Sequence, residues 1–151
     1  MAAPLGPRLL TGLIVLLALA DGVLHFALDF ILFRGNVFGS LGPPPGAPPS
    51  GGGPPPFPLP LNQLFALNVI GYVVLVLIFW FGAPRLGRRR WVVDVLLILY
   101  VVVIFLGWLR VGGPNPMGLG YLSKAMELVL VIALLAHIWT LTRSSAKVSP
   151  A

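Results

Sequence analysis

The chain has 151 residues, 58% of them hydrophobic and only 9% charged, and its mean hydropathy is +0.97. A soluble domain carries roughly 25% charged residues, so this composition excludes one and belongs in a bilayer. The formal net charge of +6 does not point to nucleic acid, because the basic residues gather at the ends of apolar runs and are explained by membrane topology.

Four stretches approach or exceed the roughly 18–20 apolar residues that cross a hydrocarbon core about 30 Å thick. They are Leu9 to Phe33, Leu61 to Gly82, Trp91 to Leu109 and Tyr121 to Thr142. The whole chain, 1–151, is expected to be a single transmembrane domain, with no separate soluble catalytic unit.

The first stretch begins with Arg8 and a Leu-rich run, followed by Ala18-Leu19-Ala20 before Asp21, which has the form of a cleavable secretory signal. The apolar run continues from Gly22 to Phe33, so the favoured expectation is an uncleaved first span. Within it Asp21, His25 and Asp29 fall at i, i+4 and i+8. They drift only about 80° around a helix and form one polar stripe that must face protein or water. Ala18 and Gly22 have small-xxx-small spacing and are expected to bring helices close together.

Residues 35 to 60 contain Gly42-Pro43-Pro44-Pro45-Gly46 and Gly51-Gly52-Gly53-Pro54-Pro55-Pro56. Proline removes backbone donors and glycine raises the entropy of ordering, so a disordered outer loop acting as a tether is expected. The second span carries Asn68. It leads into a short connection with Arg85, Arg88, Arg89 and Arg90. The third span holds Asp94 and Tyr100, and Val111 to Pro116 should form a tight turn. The fourth holds Ser123, Lys124, Glu127 and His137, with Arg143 and Lys147 after it. Ser123 is expected to be no more than a residue of the opening turns.

Arg8, the arginines of the second connection, Arg143 and Lys147 would lie on one side, against Arg34, Arg110 and Lys124 on the other. The positive-inside rule then predicts an antiparallel four-helix transmembrane bundle with both termini cytoplasmic, a multi-pass protein of the cell's inner or plasma membrane. Trp80, Trp91 and Trp139 would mark the inner interface, and Trp108 and Tyr121 the outer one.

All four acidic residues of the chain sit inside apolar stretches. A carboxylate at such depth costs at least about 2.5–3.5 kcal/mol, so it is expected to face the bundle interior. Helical rise places Asp29 and Lys124 roughly 5–6 Å, Glu127 and Asn68 roughly 9–10 Å, and His25 and Tyr100 roughly 12–13 Å below the outer boundary. With Asp21 deeper, these residues form the candidate ligand- or proton-binding cluster. Its structural alternative is a network that fixes helix register, for instance through a Lys124 to Asp29 pair and a His25 to Glu127 hydrogen bond. Asp94 and His137 form a second candidate pair at the inner end, read first as interfacial groups satisfied by water and nearby arginines, and otherwise as the continuation of a proton relay.

No cofactor is predicted. The two histidines differ in depth by about 12 Å, which rules against one haem held by both, while ligation by a single histidine stays open. A zinc-type metal site is not expected, because there is no Cys and no pair of histidines on one helix face. His25 with Asp21, Asp29 and Glu127 offers only a lesser candidate site of mixed oxygen and nitrogen for a hard or borderline cation. The absence of Cys excludes thiol redox chemistry. The leading expectation is a non-enzymatic accessory or scaffolding subunit whose partners are other membrane subunits, or copies of itself, and the bilayer. The second is a small proton-coupled carrier or ion- or ligand-binding protein that uses the buried cluster.

Overall fold

In the computed structural model, residues 7–33, 61–110 and 118–146 are described. The Pro/Gly-rich segment 35–60, residues 111–116, where a turn is expected, and Lys147 lie outside them, and so does the side chain of Asp29. The described residues are helical except around Gly87 and Arg90 in the second connection. α1 spans Pro7–Phe33, α2 Leu61–Leu77, α3 Trp91–Arg110 and α4 Leu119–Ala146. Each of the four is long and apolar enough to cross a membrane, α2 together with the π-helical turn Ile78–Gly82 that extends it.

A 3-10 turn over Ala83–Arg89 joins α2 to α3, with Pro84 in its first turn, where a missing N–H costs little. The chain reverses at Gly87, whose φ of 53° favours glycine. The Arg85 guanidinium donates to the Phe81 carbonyl and satisfies one of the acceptors freed there.

α1 and α4 form the spine of the bundle. Their buried positions follow spacings of three and four residues: Leu10, Ile14, Ala18, Asp21, His25 and Leu28 on α1, and Ser123, Glu127, Leu130, Leu134 and His137 on α4. This alternation keeps a seam on one face of a helix and is the pattern of knobs-into-holes packing. Ile14, Ala18, Leu130 and Leu134 form a closed apolar middle, with polar groups at either end. Gly22 packs against Tyr72 of α2, where an added Cβ would make ordinary van der Waals contact at 3.5 Å. α3 packs mainly on α4 and buries Val93, Leu97 and Val101, whereas α2 and α3 touch only sparsely.

Candidate functional site

The polar end of the α1–α4 seam holds Asp21, His25, Ser123 and Glu127, all buried. The Ser123 hydroxyl donates to Asp21 Oδ1 at 2.7 Å. His25 Nδ1 lies 3.0 Å from the backbone carbonyl of Asp21, one turn back. A carbonyl only accepts, so Nδ1 carries the hydrogen and Nε2 of the neutral ring presents its lone pair. That Nε2 stands 3.8 Å from Glu127 Oε1, too far for a hydrogen bond. Lys124, one turn before Glu127 on α4, places its ammonium on Glu127 Oε1. The expected contact of His25 with Glu127 is therefore an approach and not a hydrogen bond.

Two carboxylate oxygens of this group, Asp21 Oδ2 and Glu127 Oε2, are buried without a hydrogen-bond partner. The Tyr72 hydroxyl sits beside the Asp21 carboxylate but makes no hydrogen bond of normal geometry. An unpaired buried polar atom costs about 1–3 kcal/mol, and more for an ionised group. At the opposite end of the seam Asp94 Oδ2 is likewise buried without a hydrogen-bond partner.

A cavity of about 330 Å³ adjoins the cluster, and all four helices line it. Its apolar walls include Phe65 and Leu67 of α2 and Val103 and Trp108 of α3, while His25, Asn68, Tyr100, Ser123 and Lys124 supply the polar groups. Leu67 and Val103 are exposed, so the cavity opens sideways between α2 and α3, where these helices touch least. Tyr100 closes the deeper edge, its hydroxyl within hydrogen-bonding distance of the Asn68 carbonyl at 2.8 Å and of Asn68 Oδ1 at 2.9 Å. The ring lies against Gly71, where a Cβ would come within 2.0 Å of the hydroxyl oxygen. Phe65 and Tyr72 flank the His25 ring at 6.1 and 5.9 Å.

At the other end of the seam, His137 Nδ1 meets Asp94 Oδ1 at 2.9 Å, and both residues are buried. His137 Nε2 faces the Thr11 hydroxyl at 3.5 Å. The expectation of an interfacial pair satisfied by water and arginines is corrected here. The two side chains pair directly because Asp94 lies on the face of α3 that packs against α4, while Arg89 stays exposed.

The structure thus gathers Asp21, His25, Lys124 and Glu127 in one cluster, sets Asn68 and Tyr100 on the cavity beside it, and keeps Asp94 with His137 apart. Asp29 belongs to the same helix, but its side chain lies outside the described residues. Sequence reasoning undervalued Ser123 and passed over Tyr72 and Thr11. The signal for Ser123 was its i, i+4 relation to Glu127, which puts both on one helical face. Thr11 could have been found by extending the three-and-four spacing backwards from Asp21. Comparison with protein-family models, curated proteins and solved structures finds no match to this chain.

Proposed function

We propose that this is a small ligand-binding membrane protein, an antiparallel bundle with both ends cytoplasmic in the cell's inner or plasma membrane, whose outer-half cavity holds an amphiphile. The observation that carries this reading is the cavity, with its apolar walls, polar deep end and lateral opening. Its volume falls in the range of small-molecule sites, about 300–1,000 Å³. Asn68 Oδ1 faces the Tyr100 hydroxyl, which leaves the Asn68 amide N–H groups for a ligand. Lys124 places one ammonium hydrogen on Glu127 and keeps others. The head group is therefore a hydrogen-bond acceptor, a carbonyl or phosphate oxygen, carried on an apolar tail that leaves between α2 and α3.

Antiparallel order is supported by the contacts of Thr11 with His137 and of Asp21 with Ser123, since the paired positions run in opposite directions along α1 and α4. Arg143 stacked over Trp139 at 3.6 Å suits an inner interface, and the ring pair of Trp108 with Tyr121 suits the outer one. A role as accessory subunit rests on the exposed apolar faces of the helices. Lipid covers these as readily as a partner does, so no contact favours that role.

The test is to purify the chain in native nanodiscs, extract bound amphiphiles and identify them by mass spectrometry, beside Gly107→Leu. A side chain at Gly107 enters open space at the cavity wall, since a Cβ there meets nothing within 4 Å. One amphiphile class is expected at near-stoichiometric level in the parent and depleted at least about tenfold, or roughly 1.4 kcal/mol of binding, in the variant. Equal recovery from both, or none from either, would overturn the proposal.

A further inference from the structure

We infer that Asp21, His25 and Glu127 form a binding site for one divalent first-row transition cation, set between α1 and α4. Each residue offers a ligand atom, these atoms all lie within 4.8 Å of one another, and all three residues are buried. Zinc-like ions bind imidazole nitrogen and carboxylate oxygen at about 2.0–2.2 Å. The 3.8 Å between His25 Nε2 and Glu127 Oε1 therefore lets both atoms reach a single ion, and Asp21 joins them as the ligand atoms, now within 4.8 Å of one another, close to the roughly 3.4 Å of tetrahedral coordination. Asp21 Oδ2, which no hydrogen bond claims, lies 3.6 Å from His25 Nδ1 and joins the ion by turning towards the Nε2 side of the ring. Glu127 Oε2 is likewise unclaimed.

The surroundings orient these groups as a metal site requires. A ligating histidine usually donates its second ring N–H to a carbonyl or carboxylate, which fixes the ring. His25 does so to the Asp21 carbonyl. Ser123 holds Asp21 Oδ1 and leaves Oδ2 for the ion. One imidazole and two carboxylates suit Mn²⁺ through Zn²⁺ better than Ca²⁺ or Mg²⁺, which take oxygen ligands.

Charge points the same way. Asp21 and Glu127 together cancel a dication, whereas Lys124 alone leaves one carboxylate uncompensated in a low-dielectric seam, a costly arrangement. Lys124 also has a second seat. Its ammonium already lies 5.7 Å from the Trp108 ring centroid and 6.0 Å from that of Phe105, within reach of a cation–π contact. Entry of the ion then moves the ammonium off Glu127 towards the cavity wall, and Lys124 competes with the metal for the carboxylate.

The experiment titrates Zn²⁺ into the chelator-stripped full chain in nanodiscs, with a histidine-free affinity tag, by calorimetry. Co²⁺ serves as an absorption probe of coordination and Ca²⁺ as comparison. One Zn²⁺ per chain is expected, with Ca²⁺ far weaker. His25→Ala and Glu127→Gln should each weaken Zn²⁺ at least about tenfold. Lys124→Gln should tighten it about tenfold, because a positive neighbour is gone, a gain that misfolding cannot mimic. His137→Gln tests whether the second histidine is the ligand instead. Absence of stoichiometric Zn²⁺ in both the parent and Lys124→Gln would overturn the inference, as would affinity that survives His25→Ala and Glu127→Gln. The readout is metal and not amphiphile, so failure here and failure of the cavity proposal are distinguishable.

Discussion

Asp21 depends on Ser123 for its hydrogen bond, and the two residues come from the first and last helices. Ser123→Ala leaves Asp21 Oδ1 buried without that donor, and the expected loss is about 1–2 kcal/mol, read as a lower unfolding midpoint in mild detergent. Ser123→Thr keeps the hydroxyl and should recover part of it. At the opposite end, Asp94 and His137 form a pair whose worth a double-mutant cycle isolates. Asp94→Asn and His137→Gln should couple by about 1–2 kcal/mol, above the roughly 0.6 kcal/mol average for hydrogen bonds in membrane bundles, because both partners are buried and one is a carboxylate. Coupling near zero would show that the pair contributes nothing to stability. Burial of Asp21, Asp94 and Glu127 was legible in the sequence, because each interrupts an apolar stretch. Their partners were not, because Ser123 and Thr11 are common on helices and acquire meaning only from what lies across the seam.

Among the elements, α2 and α3 are joined by a short turn yet leave a cavity between them. Tyr100 holds the deeper edge shut by lying against Gly71 and reaching Asn68. Gly71→Ala should drive the hydroxyl off Asn68, at a cost of about 1 kcal/mol for the lost hydrogen bond. In a Tyr100→Ala background the same change should cost little, since the clash has no partner. Thermal melts of the two single variants and the double would check this, and equal penalties in both backgrounds would contradict the wedge. The spans themselves were readable from length and hydropathy, and their ends fall within a few residues of the expected ones except at the end of α4, which runs on to Ala146. The π-helical turn at Ile78–Gly82 was not foreseen, because its apolar residues carry no local mark distinguishing it from α-helix.

For the molecule as a whole, two polar layers stand at the ends of a seam whose middle is Ile14, Ala18, Leu130 and Leu134. This apolar stretch separates the cluster around Asp21 from the pair at His137, and among the described residues of the seam no polar side chain bridges the two. Orientation in the bilayer is open to a direct test because the chain has no cysteine. With Leu86→Cys and Tyr121→Cys, both at exposed positions, a membrane-impermeant maleimide applied to intact cells should label the second at once. The first should react only after permeabilisation. The reverse order would invert the topology that the basic residues imply.

Composition and the placement of charge, readable without any fold, determined that the chain forms four apolar helices and that its acidic residues lie among them. These are local properties, since hydropathy and helical period need no knowledge of neighbours. Which buried groups meet was decided by tertiary structure alone. Nothing within α1 or α4 specifies that Asp21 faces Ser123, that His25 turns its lone pair towards Glu127, or that α2 and α3 part to leave a cavity. Those outcomes follow from the register in which two seams of three-and-four spacing interlock, and register is set by packing across helices and not along any one of them.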